Sequence, residues 1–327
     1  MLIAACGDSE SGVDSSSTAA TNDPSNDRPL DTQGHRGARG LRPENTLPSF
    51  EAALDIGVTT LELDVHFSAD GQIVIWHDAE IESAKCGLAP TAPDGIPDPD
   101  DPTVGGQNLM IRALTAEQLG WYRCDRNPDA DRFPDQVSDG TELAGDAYAV
   151  VTLGRLFEVV EVYGTSDEKT ERQRAGAADV RFNIETKRKP NAPETIGDGF
   201  DGANVGPFER ELLRVIEDYG LEDRVVIQSF DHRSLWAIHA AEPSITLAAL
   251  STRPIDLDDV ASHGASIWSP SHTIVTSTHI SAAEEAGLLV IPWTVNDPVD
   301  MAHLIGIGVD GLITDRPDLL VSLVSGE

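Results

Sequence analysis

Four short stretches of this 327-residue chain place side chains capable of chemistry at spacings that bring them onto one surface. The first is His35-Arg36-Gly37. In the second, Leu61-Glu62-Leu63-Asp64-Val65, the acids Glu62 and Asp64 are two apart and share one face of a strand. The third, Ile75-Trp76-His77-Asp78, follows Ala69-Asp70-Gly71-Gln72, whose Asp-Gly pair is a strong hairpin signal. A turn centred near Asp70 and Gly71 sets His77 opposite Asp64, so that Glu62, Asp64 and His77 converge. The fourth, Arg181 to Lys187, aligns Asn183, Glu185 and Lys187 on one face. Three inward carboxylates, Glu62, Asp64 and Glu185, repel one another unless a cation lies between them. Hard oxygen ligands of this kind suit one divalent cation, Ca2+ or Mg2+. His35 and His77 are then left to give and take protons. Arg36 and Lys187 would face an anion bound at the same place. The set reads as metal-assisted phosphoester chemistry. For any one of these residues a structural role outweighs a catalytic one; their joint occurrence at several strand ends carries the reading.

The elements that must position them alternate. Strand-like segments fall at 33–37, 60–66, 73–77, 180–187, 224–229, 246–250, 266–270, 289–295 and 311–314. Helical patterns lie between most of them, at 46–56, 152–163, 207–219, 233–241, 281–286, 298–305 and 317–324. Alternating units of this kind imply a parallel sheet, and some eight of them imply an α/β fold closed as a (β/α)8 TIM-type barrel. No GxGxxG follows a strand, which argues against dinucleotide binding. Two stretches interrupt the pattern. The first, about 79–147, is rich in Pro, Gly and Asp; it is inserted after the second and third strands, looks poorly able to order itself, and has few clustered large apolar residues. The second, 165–179, is polar. A long excursion after a strand's C-terminal end sits over a barrel's active site.

With 23 Lys+Arg against 56 Asp+Glu the net charge is −33. That excludes nucleic acid as a partner and electrostatic docking on anionic lipid. Only Lys85, Lys169, Lys187 and Lys189 are lysines, a balance that fits either a solubilising surface or a salt-rich setting. Residues 1–6, Met-Leu-Ile-Ala-Ala-Cys, resemble the lipobox of bacterial lipoproteins, with lipidation at Cys6. Residues 7–32 read as a flexible, acidic Ser/Asp-rich tether, and 33–327 as the barrel domain. Only five residues precede Cys6, fewer than a signal peptide needs; either translation starts further upstream or the match is chance. The expected location is exported, periplasmic or at the cell surface, through a lipid and without a transmembrane helix. In that oxidising setting Cys86 and Cys124 would pair as a disulfide.

The chemistry-bearing stretches, with Pro43-Glu44-Asn45-Thr46, Ser49-Phe50, Gln228-Ser229-Phe230, Trp293-Thr294-Val295-Asn296 and Gly311-Leu312-Ile313-Thr314-Asp315-Arg316-Pro317, resemble the glycerophosphodiester phosphodiesterase family, in its bacterial exported type, over about residues 33–323. The resemblance implies a phosphodiesterase-type barrel that hydrolyses a small glycerophosphodiester to glycerol 3-phosphate and an alcohol with one divalent cation. By position, Glu62, Asp64 and Glu185 correspond to metal ligands, His35 and His77 to the acid/base pair, and Arg36 and Lys187 to phosphate contacts. Trp293 is open between an apolar wall for the glycerol and a core tryptophan. Asn45 is a candidate helix N-cap. Glu44 either approaches the metal, positions His35, or merely complements a helix dipole. Thr186 stands where the family has a more aliphatic residue. His66 falls on the face of Asp64. A phospholipase D-like enzyme acting on lysophospholipids would need an exposed apolar rim. A non-catalytic binding lipoprotein would have lost a histidine or carboxylate, and all are present.

Overall fold

Along Thr60–Phe67 (β2) polar and apolar residues alternate, and the structure uses the two sets on opposite faces. Leu61, Leu63 and Val65 join the apolar layer beneath the helices, whereas Thr60, Glu62, Asp64 and His66 are buried polar residues. The computed structural model describes residues 28–326; Cys6 and most of the 7–32 segment lie outside them. Within them the strands are β1 (Asp31–Gly34), β2, β3 (Ile73–Ile75), β4 (Gly87–Leu88), β5 (Tyr122–Arg123), β6 (Arg181–Thr186), β7 (Val225–Ser229), β8 (Thr246–Ser251), β9 (Ile267–Pro270), β10 (Leu289–Val290) and β11 (Gly311–Thr314). Eight of them run parallel in the order β10-β9-β8-β7-β6-β2-β1-β11. Asp310 N donates to Val290 O (2.9 Å), Ile313 N to Pro292 O (3.0 Å) and Val295 N to Ile313 O (3.0 Å), which links the two ends of that series. The fold is the expected (β/α)8 barrel.

β1 begins at Asp31, inside the segment read as tether. The Asp31 carboxylate is buried because it accepts from Thr59 Oγ1 (2.7 Å), Thr60 Oγ1 (2.7 Å) and Gln33 Nε2 (2.8 Å). The barrel interior is divided. Val226, Ala248, Ile267, Ile291 and Ile313 form an apolar plug from β7 to β11. The β1, β2 and β6 side is polar: Asn183 Nδ2 donates to Gln33 Oε1 (2.8 Å), a layer below the acids.

β3 is an arm outside the ring, paired antiparallel to β2 with Val65 opposite Ile75. That register sets Asp64 against Trp76, one residue away from the expected pairing with His77. The reason is the turn. Ser68 N donates to Gln72 O (3.0 Å), leaving the three-residue loop Ala69-Asp70-Gly71 with Gly71 at φ 76°. Three-residue loops closing on a left-handed glycine move the register relative to two-residue ones. His77 therefore reaches the site from the loop after β3.

The 79–147 excursion differs from expectation too. Trp76, Ile81, Leu109, Ile111, Leu114, Leu119 and Tyr122 form a second core around Cys86 and Cys124, whose sulfurs are bonded (2.07 Å). β4 and β5 pair beside that bond. These apolar residues are spread along the chain, so no run betrays the cluster. The polar stretch 165–179 contains a helix, Glu171–Asp179, with a capping box between Thr170 and Gln173 and only Ala177 buried. Caps form it where an apolar stripe is missing. Lys169, just before it, is buried with its Nζ at 2.6 Å from Glu51, 2.9 Å from Asp55 and 3.2 Å from Glu142. Glu51 also accepts from the amides of Leu143 and Ala144 at the end of the excursion. Lys169→Met leaves the Glu51 carboxylate buried without its cation. It is expected to lower stability in urea unfolding by roughly 3 kcal/mol and to open the 138–147 segment to limited proteolysis.

Candidate active site

The site is assembled at the C-terminal ends of β1, β2, β6, β7 and β11. After β1 the chain turns through Arg36 (φ 52°) and Gly37 (φ 86°). A Cβ on Gly37 would lie 2.6 Å from the Ser49 backbone, so glycine alone fits. Ser49 Oγ and Asn45 N donate to the Arg36 carbonyl (2.9 and 3.0 Å) and hold its left-handed backbone. That turn aims the Arg36 amide at Glu62 Oε2 (2.9 Å).

Oxygens of Glu62, Asp64 and Glu185 lie within 4.8 Å of one another. The β2–β6 register, Asp64 opposite Glu185, brings the last two together. Glu62 is 1 % exposed and Asp64 0 %. Glu62 accepts from Gln228 Nε2 on β7 (2.8 Å). Asp64 Oδ2 accepts from Asn45 Nδ2 (2.8 Å) and lies 3.1 Å from Arg36 Nε. Lys187 Nζ donates to Glu185 Oε1 (2.7 Å) and lies 3.2 Å from Asp64 Oδ1. Burial, then the charges of Asp64 and Glu185, pushes the Glu62 carboxyl well above the usual range. Burial also raises Glu185, against the pull of Lys187. Asp64 is held well below its range, because Lys187 and Arg36 outweigh its burial. Three acids against Lys187 and a shared Arg36 leave net negative charge. Asp64 Oδ1 and Gln228 Oε1 are buried acceptors that receive no hydrogen bond. An all-oxygen set with surplus charge and idle acceptors fits a hard divalent cation.

The two histidines share one arrangement. His35 Nδ1 donates to Asp315 Oδ1 (2.6 Å), which turns Nε2 toward the acids, 3.9 Å from Glu62 Oε2. Burial lowers the His35 pKa, against the opposing pull of Asp315. Asp315, at the end of β11, is fully buried, and Asn296 Nδ2 donates to its other oxygen (2.8 Å). His77 Nδ1 donates to Asp78 Oδ1 (2.8 Å). His77 lies close enough to Asp64 and Glu185 to act on the ionisation of both. His66 is a support: its Nε2 donates to the His77 carbonyl (3.2 Å), and burial lowers its pKa to about 3, so it is neutral.

Other expectations shift. The helix N-cap is Thr46, which accepts from Ser49 N, while Asn45 (φ 57°) turns back to bind Asp64. Glu44 makes no hydrogen bond or ion pair with His35 or the three acids, and it approaches His77 and Asp78 within 4.8 Å. Its carboxylate accepts from Arg36 Nη1 (2.8 Å), Arg39 Nε (2.7 Å) and Lys85 Nζ (2.8 Å), which hold it well below the usual range despite burial. The indole nitrogen of Trp293 donates to Ser269 O (2.9 Å), and its ring meets the exposed Phe230 edge-on at 5.5 Å. It is anchored to the plug and half-buried at the same time. The supporting groups missed in the sequence are Asp78, Lys85, Arg39, Gln228, Asn296 and Asp315. Asp78, Gln228, Asn296 and Asp315 lie inside the stretches that carried the family resemblance, beside residues that were assigned roles. Nothing local marks Lys85 or Arg39.

Burial pushes Asp315 up, but His35, Arg39 and Asn296 outweigh it and hold its pKa at about 2. A depressed carboxyl adds stability that is present above its unfolded value and is lost as pH falls toward the folded one. Between pH 5 and 2 the wild type is expected to lose about 2 kcal/mol more than Asp315→Asn, measured by urea unfolding at each pH. Equal acid slopes in the two proteins would contradict this.

The glycerophosphoryl diester phosphodiesterase family profile matches residues 35–319. A Caldanaerobacter subterraneus protein named glycerophosphodiester phosphodiesterase is 26% identical over 299 residues, covering 89% of this chain and 96% of its own. A Bacillus altitudinis protein of that name is 27% identical, covering 88% and 96%. A candidate glycerophosphoryl diester phosphodiesterase of Silicibacter pomeroyi superposes with a TM-score of 0.73 at 26% identity, over 92% of this chain and 94% of its own. An Oleispira antarctica phosphodiesterase solved with the product sn-glycerol-3-phosphate shares the fold, with a TM-score of 0.64 at 20% identity over 90% and 96%. The barrel and the extent of the match agree, and this chain belongs to the glycerophosphoryl diester phosphodiesterase family.

Proposed function

We propose that the protein hydrolyses small glycerophosphodiesters to glycerol 3-phosphate and an alcohol, by histidine acid/base catalysis at one divalent cation, Ca2+ or Mg2+, held by Glu62, Asp64 and Glu185. The observation that carries the reading is the pair His35–Asp315 and His77–Asp78 set about three buried acids. A carboxylate on Nδ1 fixes the tautomer and leaves Nε2 to exchange a proton with substrate. The cation, when bound, neutralises the phosphoryl oxygens and offsets the charge that builds on them during attack. Arg36 and Lys187 bind and orient the phosphodiester from either side of Asp64. One histidine takes the proton of the attacking hydroxyl, the glycerol 2-hydroxyl, as its oxygen bonds to phosphorus. The other gives a proton to the alcohol oxygen as the P–O bond to it breaks. Water then opens the cyclic phosphate with the two roles exchanged. Trp293 and Phe230 offer an apolar wall to the carbon atoms.

His35→Ala and His77→Ala are each expected to keep the fold and to lose about 10²- to 10⁴-fold in kcat on glycerophosphocholine. Full activity in either variant would sink the acid/base assignment. EDTA should abolish glycerol 3-phosphate release and Ca2+ or Mg2+ should restore it. Calorimetric titration of either ion should weaken in Glu185→Gln; an EDTA-insensitive enzyme would refute the metal reading.

We also propose that the protein is exported and anchored by a lipid at Cys6. The Cys86–Cys124 bond supports an oxidising compartment. Labelled palmitate should enter the wild type expressed in a bacterium from its native start, and not Cys6→Ala; equal labelling would refute the anchor.

A further inference from the structure

A second charged cluster is joined to the site through His77 and Arg36, and its lysine has no part in the proposed reaction. Lys85 Nζ, 13 % exposed in its side chain, donates to Glu44 Oε1 (2.8 Å) and to Asp78 Oδ2. Each of those carboxylates spends its other oxygen on a residue of the site. Asp78 Oδ1 accepts from His77 Nδ1, and Glu44 Oε2 accepts from Arg36 Nη1, both at 2.8 Å. Oxygens of Glu44 and Asp78 approach within 4.8 Å. Without the ammonium between them the two would repel and swing apart, each taking its partner with it. Within the cluster the cations Lys85 and Arg39 pair directly with Glu44 and Asp78.

Lys85 comes from the 79–147 excursion, and its place there is fixed from several sides. The next residue, Cys86, is bonded to Cys124. Gly87 pairs with Arg123, and the Lys85 carbonyl accepts from Arg126 N (3.1 Å). The ring of Trp76 lies 5.7 Å from its ammonium.

We infer that Lys85, carried by the cystine-anchored excursion, is a positioning residue that aligns His77 through Asp78 and Arg36 through Glu44. The inference rests on the phosphodiesterase reading of His77 and Arg36.

The test compares Lys85→Met, which keeps length and removes charge, Lys85→Arg, which restores a cation, and the double variant Cys86→Ser/Cys124→Ser. Turnover of glycerophosphocholine and the 15N signals of the His77 imidazole are read on each, with the melting midpoint as the control for folding. Lys85→Met is expected to lose about 10- to 100-fold in kcat and, through Arg36, to raise KM. Its His77 Nδ1 signal should move toward that of a free imidazole. Lys85→Arg should recover most of the rate, and the double serine variant should fall in the same direction. An unchanged kcat with unchanged His77 signals in Lys85→Met would overturn the inference, as would a loss that arginine does not recover. Should Lys85→Met melt below the assay temperature, the other two variants decide. An active arginine variant beside an impaired serine pair supports positioning, and equal behaviour of the two overturns it. A wild type that releases no glycerol 3-phosphate rejects the phosphodiesterase reading itself, while the His77 signals still decide whether Lys85 aligns that ring.

Discussion

Glu62, Asp64 and Glu185 sit where water scarcely reaches them, with oxygens within 4.8 Å of one another. Burial and mutual repulsion both disfavour their charged forms. The architecture around them answers that cost. Lys187 comes from the same strand end as Glu185, two residues on. Arg36 is delivered by a left-handed turn that a glycine and Ser49 hold in place. Asn45 and Gln228 supply neutral donors. Even so the cations fall short of the anions, and such a shortfall suits a small, doubly charged ion better than a further side chain. In a protein of charge −33 the cations are gathered where an anionic diester would meet them. Two of its four lysines, Lys85 and Lys187, are placed at this one opening, beside Arg36 and Arg39.

Much of this was legible in the sequence, for a reason particular to strands. Glu62 and Asp64, or Glu185 and Lys187, are two apart, and period-2 geometry leaves no choice about their sharing a face once the strand is recognised. The barrel followed from the alternation of such strands with helices. The pairing of His77 did not, because one extra residue in the Ala69-Asp70-Gly71 loop shifts the register, and a dipeptide signal does not count loop residues. Asp315 meets His35 across 280 positions of chain, a closeness that only ring closure between β1 and β11 creates. The second core is the plainest failure. Its apolar residues are separated by Pro, Gly and Asp, so composition reads as disorder where tertiary contacts and the cystine supply the order.

The two histidines show how a barrel builds equivalent tools from unlike parts. His35 is oriented by a carboxylate from the far end of the chain, in a fully buried setting shared with Asn296. His77 is oriented by its own neighbour in sequence, nearer the opening, with support from His66 beneath its backbone. One is secured by closure of the ring and the other by a loop and what packs on it. Their environments differ although the hydrogen bond is the same.

The excursion has its own apolar core, separate from the barrel's. Chain segments with separate cores accept substitutions separately, since a packing change in one is not felt as strain in the other. The reacting groups belong to the barrel, while the roof beside His77 belongs to the excursion. Lys85 is a point at which the two meet: repacking inside the excursion's core is absorbed there unless it moves that ammonium from Glu44 and Asp78.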